Sequence, residues 1–239
     1  MMSILYLIFI YPIEFIIRHI LELSFLVTGS YGISIIIVSI VISLITLPLY
    51  HFANLMQLKE REIKKRMEPA VNDLKKVYRG YELHLYIKTL YRQNNYHPVY
   101  SLRSSMGLLL QVPFFIAAYH FLSIYEPLQG VSFLFFHDLG SPDGLVSLWE
   151  LRINLLPFLM TGFSLLAGYV YTKNAGTGEK VQVYIISGLF FALLYNSPSG
   201  LLLYWTCNNI FNYLKHIGYS FFEKENMKNT VISGSICNV

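Results

Sequence analysis

The sequence predicts an all-α integral membrane protein: a five-helix transmembrane core with a cytoplasmic helical hairpin and an N-terminal amphipathic interfacial helix. Three observations carry this. Of 239 residues, 54% are hydrophobic and only 13% charged, whereas soluble domains sit near ~25% charged. Five apolar stretches approach the ~20 residues that a helix needs to cross a bilayer. Lys and Arg gather on alternate sides of those stretches, as orientation in a membrane requires.

The N-terminal helix comes first, at residues 1–30. Its opening run, Met1 to Pro12, is apolar like the middle of a signal peptide. No basic residue precedes the run and no small-x-small cleavage site follows it, so it is expected to be retained. Glu14, Arg18 and Glu22 fall four apart, one charged stripe with two i,i+4 ion pairs. A stripe of that kind is costly inside hydrocarbon. A helix lying flat in the headgroup region is the expectation.

A core over residues 31–220 follows, with spans at about 31–50, 105–124, 153–172, 181–196 and 199–219. Between the last two, Asn196-Ser197-Pro198-Ser199-Gly200 reads as a tight turn, which makes them an antiparallel pair. Residues 221–239 form a polar C-terminal tail. Orientation comes from the loops. The segment after the first span holds Lys59, Arg61, Lys64, Lys65, Arg66, Lys75, Lys76, Arg79, Lys88, Arg92 and Arg103. The loop after the second holds only Arg152 against Glu126, Asp138, Asp143 and Glu150. Basic loops stay inside. The N-terminus is then outside and the C-terminus cytoplasmic.

The basic segment, residues 51–104, has its own pattern. Leu55, Leu58, Ile63, Met67, Val71, Leu74 and Val77 recur at near-helical spacing. Gly80 breaks the run, Leu83, Tyr86, Ile87 and Leu90 resume it, and Pro98 ends it. Two amphipathic helices result. Their positive charge suits an anionic leaflet, and no nucleic-acid-binding motif accompanies it.

Catalytic chemistry finds no support. The spans lack Asp and Glu, and no Ser/His/Asp set, metal-ligand spacing or glycine-rich phosphate loop appears. No cofactor is expected and the chain is not expected to be an enzyme. Cys207 and Cys237 read as free thiols. What the spans hold is uncharged polarity: Ser34, Ser39, Ser43 and Thr46 in the first, Gln111 in the second, Thr161 and Ser164 in the third, Tyr184 and Ser187 in the fourth, Thr206, Asn208 and Asn209 in the fifth. Many Ser and Thr bond their own helix backbone. Gln111, Asn208 and Asn209 need other partners. Ser39, Ser43 and Thr46 share one helix face. Pro48 is expected to close the first span, Pro113 to interrupt the second and Pro157 to begin the third.

Several of these segments resemble the YidC/Oxa/Alb membrane-protein insertases. They are Gly32 to Ser39 running on to Leu47-Pro48-Leu49, then Gly107 to Tyr119 with Gln111 and Pro113, then Asp138-Leu-Gly-Ser-Pro-Asp143, and last Pro198 to Asn209. Together with the cytoplasmic hairpin they cover about residues 10–220 in family order. The resemblance implies a bacterial inner-membrane, multi-pass insertase or chaperone that places hydrophobic segments in the bilayer without nucleotide hydrolysis. It implies a hydrophilic groove open to cytoplasm and lipid, lined here by Ser39, Ser43, Thr46, Gln111, Thr206, Asn208 and Asn209. Phe115, Met160, Tyr204 and Trp205 would form a hydrophobic slide. Nascent membrane proteins and lipids are the implied partners, with the ribosome or the Sec translocon as candidates to meet the hairpin between Phe52 and Tyr96.

One departure stands out. Where many bacterial members carry an arginine five residues before the proline of Leu-Pro-Leu, this chain has Ser43. It reads as a short member without the groove arginine. Two alternatives remain: a scaffold or specialised partner-binding paralogue without general insertase activity, and a small-solute pore.

Overall fold

The N-terminal charged stripe does not pair with itself. In the computed structural model, which describes residues 6–97, 100, 106–148, 151–173 and 177–236, a π-helical turn at Tyr6–Ile10 leads into α1, Tyr11–Thr28. Glu14 Oε2 accepts the Tyr6 hydroxyl at 2.6 Å, and Oε1 lies 2.8 Å from His120 Nδ1. That hydrogen bond, with burial, pushes Tyr6 up to about 12. The Arg18 guanidinium sits 5.3 Å from the Phe121 ring centre. No Glu14–Arg18 or Arg18–Glu22 pair forms among the described residues. An exposed i,i+4 pair contributes only ~0.2–0.5 kcal/mol, and contacts to another helix displace it here. Ile17 and Leu21 are buried, while Phe15, Ile16, Leu23, Leu26 and Val27 stay exposed. Glu14 therefore turns toward protein, while Arg18, Glu22 and much of the apolar surface stay exposed.

Gly29 ends α1 in the left-handed region at φ 64°, its N–H donating to Phe25 O at 2.8 Å. Among the described residues six more α-helices follow: α2 Tyr31–Val77, α3 Gly80–Gln93, α4 Met106–Ile124, α5 Leu156–Tyr171, α6 Thr177–Leu194 and α7 Ser199–Ile236. Between α4 and α5, β1 Val146–Leu148 pairs antiparallel with β2 Leu151–Ile153. These two short strands depart from the expected all-helical chain.

Pro48 does not close the first span. The helix runs through Pro48 and Pro69 to Val77, so the apolar span and the first hairpin helix are one element. Pro113 likewise lies within α4. An interior proline forfeits one backbone hydrogen bond, and the remaining ladder carries the helix past it. Pro157 does sit in the first turn of α5. Pro98 and Arg103 lie outside the described residues, as do the first five positions and Cys237. Helix α7 extends well into the segment expected as a polar tail.

The chain divides into two compact units, residues 1–45 with 116–239, and residues 46–115. In the first, α5 packs against both α6 and α7. Ile35, Val38, Ile42, Ala117, Ala118, Leu122, Leu128, Leu139, Leu156, Leu201 and Leu202 fill the core. Gly168 lets α6 approach α5, since a Cβ there would lie 2.2 Å from Val183 Cγ1. In the second unit, Gly80 opens α3 at φ 57°. Glu60 is buried and accepts the Tyr96 hydroxyl, with Lys64 Nζ 3.5 Å away. Arg66–Glu62 and Lys76–Asp73 are exposed pairs. The expected apolar face of α3 buries no residue fully; Tyr86 meets Tyr78 at 4.1 Å.

Candidate functional site

The buried polarity of the first unit forms two groups. One is a seam between α2 and α7. Ser43 Oγ donates to Asn208 Oδ1 at 2.9 Å, across 165 positions of sequence. One turn earlier on α2, Ser39 is fully buried with no partner in hydrogen-bond geometry, and the Cys207 thiol lies beside it. The contact follows from spacing: residues four apart on α2 meet successive residues of α7. Thr206 is buried and donates to Leu202 O of its own helix at 2.7 Å, the back-bond usual for a hydroxyl in a helix. Asn209, also buried, reaches the Met160 carbonyl of α5 at 3.4 Å. Ser164 and Ser187 meet at 3.1 Å between α5 and α6.

The structure thus brings Ser39, Ser43, Asn208 and Asn209 into one unit and gives Thr206 a local role. Thr46 is buried on α2 in the second unit, and Gln111 and Phe115 are half-buried on α4 there. The expected slide residues Met160, Tyr204 and Trp205 are buried. Trp205 lies 5.2 Å from the Phe190 ring. The packing of α5 on α7, with Phe190 of α6 against Trp205, covers that face, so in this conformation these side chains are core and present no open surface.

The second group is a knot of loop residues that sequence reasoning left as a motif without a role. Asp138 Oδ1 accepts the N–H groups of Gly130 and Gly140, and Oδ2 accepts the Ser141 hydroxyl, all at 2.8 Å. Burial opposes its ionisation, and these bonds outweigh that and hold the carboxyl below its ordinary range. Asp143 Oδ2 accepts the Leu155 and Leu156 N–H groups at 2.6 and 3.0 Å. This tertiary cap starts α5 at Leu156, three residues past the expected start of the span. Asn154 takes the Gly144 N–H and donates to Tyr195 O. Ser199 donates its hydroxyl and N–H to Ser141 O, and the Gly200 N–H reaches Leu139 O. The knot ties this loop to the start of α7.

The family profile described as 60Kd inner membrane protein matches residues 23–226, the great majority of the chain and nearly all of both groups' surroundings. The chain belongs to the YidC/Oxa/Alb family. Among curated relatives, "Membrane protein insertase YidC" of Treponema denticola is 27% identical over 229 residues, covering 87% of this chain and 37% of the relative. The protein of the same name from Treponema pallidum is 28% identical over 216 residues, covering 84% and 33%. That of Oceanobacillus iheyensis is 26% identical over 212 residues, covering 85% and 79%. The chain spans about a third of the length of the two Treponema proteins. A solved structure, an active YidC insertase with its first transmembrane domain resolved, shares the fold at a TM-score of 0.57 and 23% identity. It covers 88% of this chain and 45% of that one.

Membership in the YidC/Oxa/Alb family makes this a membrane protein. Among the described residues, α2 alone is long and apolar enough to cross a bilayer by length and composition. Leu110–Ile124, Leu156–Val170 and Lys180–Leu194 are shorter apolar helical stretches.

Proposed function

We propose that this chain is a membrane protein insertase and chaperone of the bacterial inner membrane. It places and helps fold hydrophobic segments of nascent membrane proteins, with no nucleotide hydrolysed. The observation that carries the reading is the Ser43–Asn208 seam. Neutral polar side chains are gathered where α2 meets α7, inside a unit whose outer surface is apolar. Ile33, Ile40, Leu44, Phe158, Leu159, Leu166, Ile185, Leu189 and Leu193 are all exposed large hydrophobics, a surface suited to lipid. Family membership supports the same conclusion, since the relatives are named as insertases.

In this reading five spans cross the membrane, with the N-terminus outside and the C-terminus cytoplasmic. The seam is one wall of a half-membrane groove. A polar tail of the substrate exchanges hydrogen bonds with Ser39, Ser43, Asn208 and Asn209. Its apolar helix then leaves sideways into lipid, driven by burial from water. With Ser43 in place of an arginine, capture works by hydration and amide bonds and favours no charge sign. The basic hairpin meets the ribosome, the Sec translocon or the anionic leaflet.

A photo-crosslinker at position 43 tests the groove on a single-span nascent protein. Crosslinks from 43 above those from exposed Leu44 are expected. Equal or weaker crosslinks from 43 would sink the groove. A scaffold reading has one observation in its favour: Ser43 is already bonded to Asn208, so the seam closes on itself. Rescue of an insertase-depleted cell separates the two, because a scaffold inserts nothing.

A further inference from the structure

We propose that the loop between α4 and α5 is a rigid apolar finger whose tip, Leu134 and Phe135, anchors in the outer leaflet of the bilayer. The proposal rests on the membrane reading above. These two side chains are 74% and 76% exposed, adjacent, and set in a segment, residues 130–136, without a charge.

The finger is built to hold them out. At its base Asp138 ties Gly130 to Gly140, and the Leu139 N–H donates to Val131 O at 2.9 Å. Phe133 and Phe136 then exchange both backbone hydrogen bonds at 2.9 Å, leaving a two-residue turn. Leu134 takes φ 51°, a conformation that glycine adopts freely and leucine does not. The strain is borne by a large apolar residue at the tip. Phe136 is buried. The Phe133 ring fills the space over Gly32, where a Cβ would lie 2.0 Å from Phe133 Cγ. The tip is therefore mounted and cannot fold back to cover itself.

Three features identify a lipid surface as the occupant. Gly32 is the second residue of α2, so the finger hangs beside the first turn of the helix that qualifies as a span. An aromatic cluster stands at the same helix ends. Phe25 stacks on Tyr31 at 4.0 Å, Tyr31 meets Tyr125 at 6.3 Å, and Tyr125 meets Phe121 at 4.8 Å. Tyrosine is enriched at membrane–water boundaries. Leu26 and Val27, at the end of α1, are 79% and 87% exposed and give that end a second apolar pair. Two side chains fall far short of the ~1,000 Å² that a specific protein interface buries, but they suit interfacial partitioning.

The test uses the full chain reconstituted in phosphatidylethanolamine–phosphatidylglycerol vesicles. A nitroxide is attached to Phe135→Cys in a Cys207→Ala, Cys237→Ala background, with Gln129→Cys and Leu44→Cys as separate references. The label at 135 is expected to collide more with oxygen than with a water-soluble nickel chelate, as at 44 and opposite to 129. Lipid-like behaviour at 44 with water-like behaviour at 135 overturns the finger and leaves the insertase reading standing. Water-like behaviour at both removes the membrane reading as well. Shielding of 135 from both reagents points to a protein partner and also overturns the proposal. A Leu134→Cys label, expected to match 135, provides the same readout from a substitution at the strained position.

Discussion

The loop knot and the α2–α7 seam are both buried polar clusters in one compact unit, and they are built on opposite rules. The knot uses carboxylates and an amide whose partners are mostly backbone N–H groups, at 2.6–3.0 Å. Charged acceptors on amide donors are among the stronger protein hydrogen bonds. The seam uses neutral hydroxyls and amides: Ser43 to Asn208 at 2.9 Å, Asn209 to the Met160 carbonyl at 3.4 Å, and a buried Ser39 hydroxyl without good geometry. A cluster of the first kind fixes backbone. A cluster of the second kind is held by neutral bonds, which in the proposed groove exchange with those of a visiting polar chain. Charge on the acceptor, more than burial, separates the structural cluster from the candidate working one, since a buried oxygen without a partner occurs in both, Asp143 Oδ1 in the knot and Ser39 Oγ in the seam.

The sharpest way to break that contrast is Asp143→Ala. It strips two N–H groups at the start of α5 of their acceptor, and buried unsatisfied donors are costly. A loss of about 3 kcal/mol of stability is expected, read as a lower thermal unfolding midpoint in detergent. Asp143→Asn keeps an oxygen acceptor and should recover most of it. If the alanine variant unfolds at the wild-type temperature, the knot is no more structural than the seam.

Asp138 gives a pH signature that the neutral seam lacks. Its folded carboxyl lies below the ordinary value because of its hydrogen bonds. A depressed folded pKa contributes stability that is full above the unfolded value of ~4 and is lost as pH falls through the lower, folded value. The unfolding midpoint of wild type should therefore drop between pH 6 and pH 3 by more than that of Asp138→Asn. Equal drops would mean that the carboxylate contributes nothing specific.

Much of the helical plan was legible because long apolar runs and the 3.6-residue period are local signals. So was the Ser39–Ser43–Thr46 face, whose spacing puts all three on the buried side of α2. What escaped depends on distant residues. Nothing near Leu156 says that Asp143 will cap it, nor does the stripe in α1 announce that His120 and Phe121 will take Glu14 and Arg18. Pro48 misled because a proline's local cost is known while the ladder that overrides it is not. Trp205 and Tyr204 look from sequence like a surface for a passing helix. Their burial depends on α5 and on Phe190 of α6, which only the fold supplies.

The seam itself should give the smallest stability effects and the largest functional ones. A double-mutant cycle on Ser43→Ala and Asn208→Ala should return a coupling of about 0.5–1 kcal/mol, the size typical of interhelical hydrogen bonds in membranes. Thr206→Val should cost less than about 0.5 kcal/mol, because its hydroxyl serves its own helix and no neighbour. Insertion assays invert the order that stability sets. Asp143→Asn should leave the yield of a single-span substrate near wild type, while Ser43→Ala with Asn208→Ala should lower it several-fold although the protein stays folded. A coupling near zero together with unchanged insertion would show that the α2–α7 contact is packing alone, and the contrast with the knot would then be one of strength without any difference of purpose.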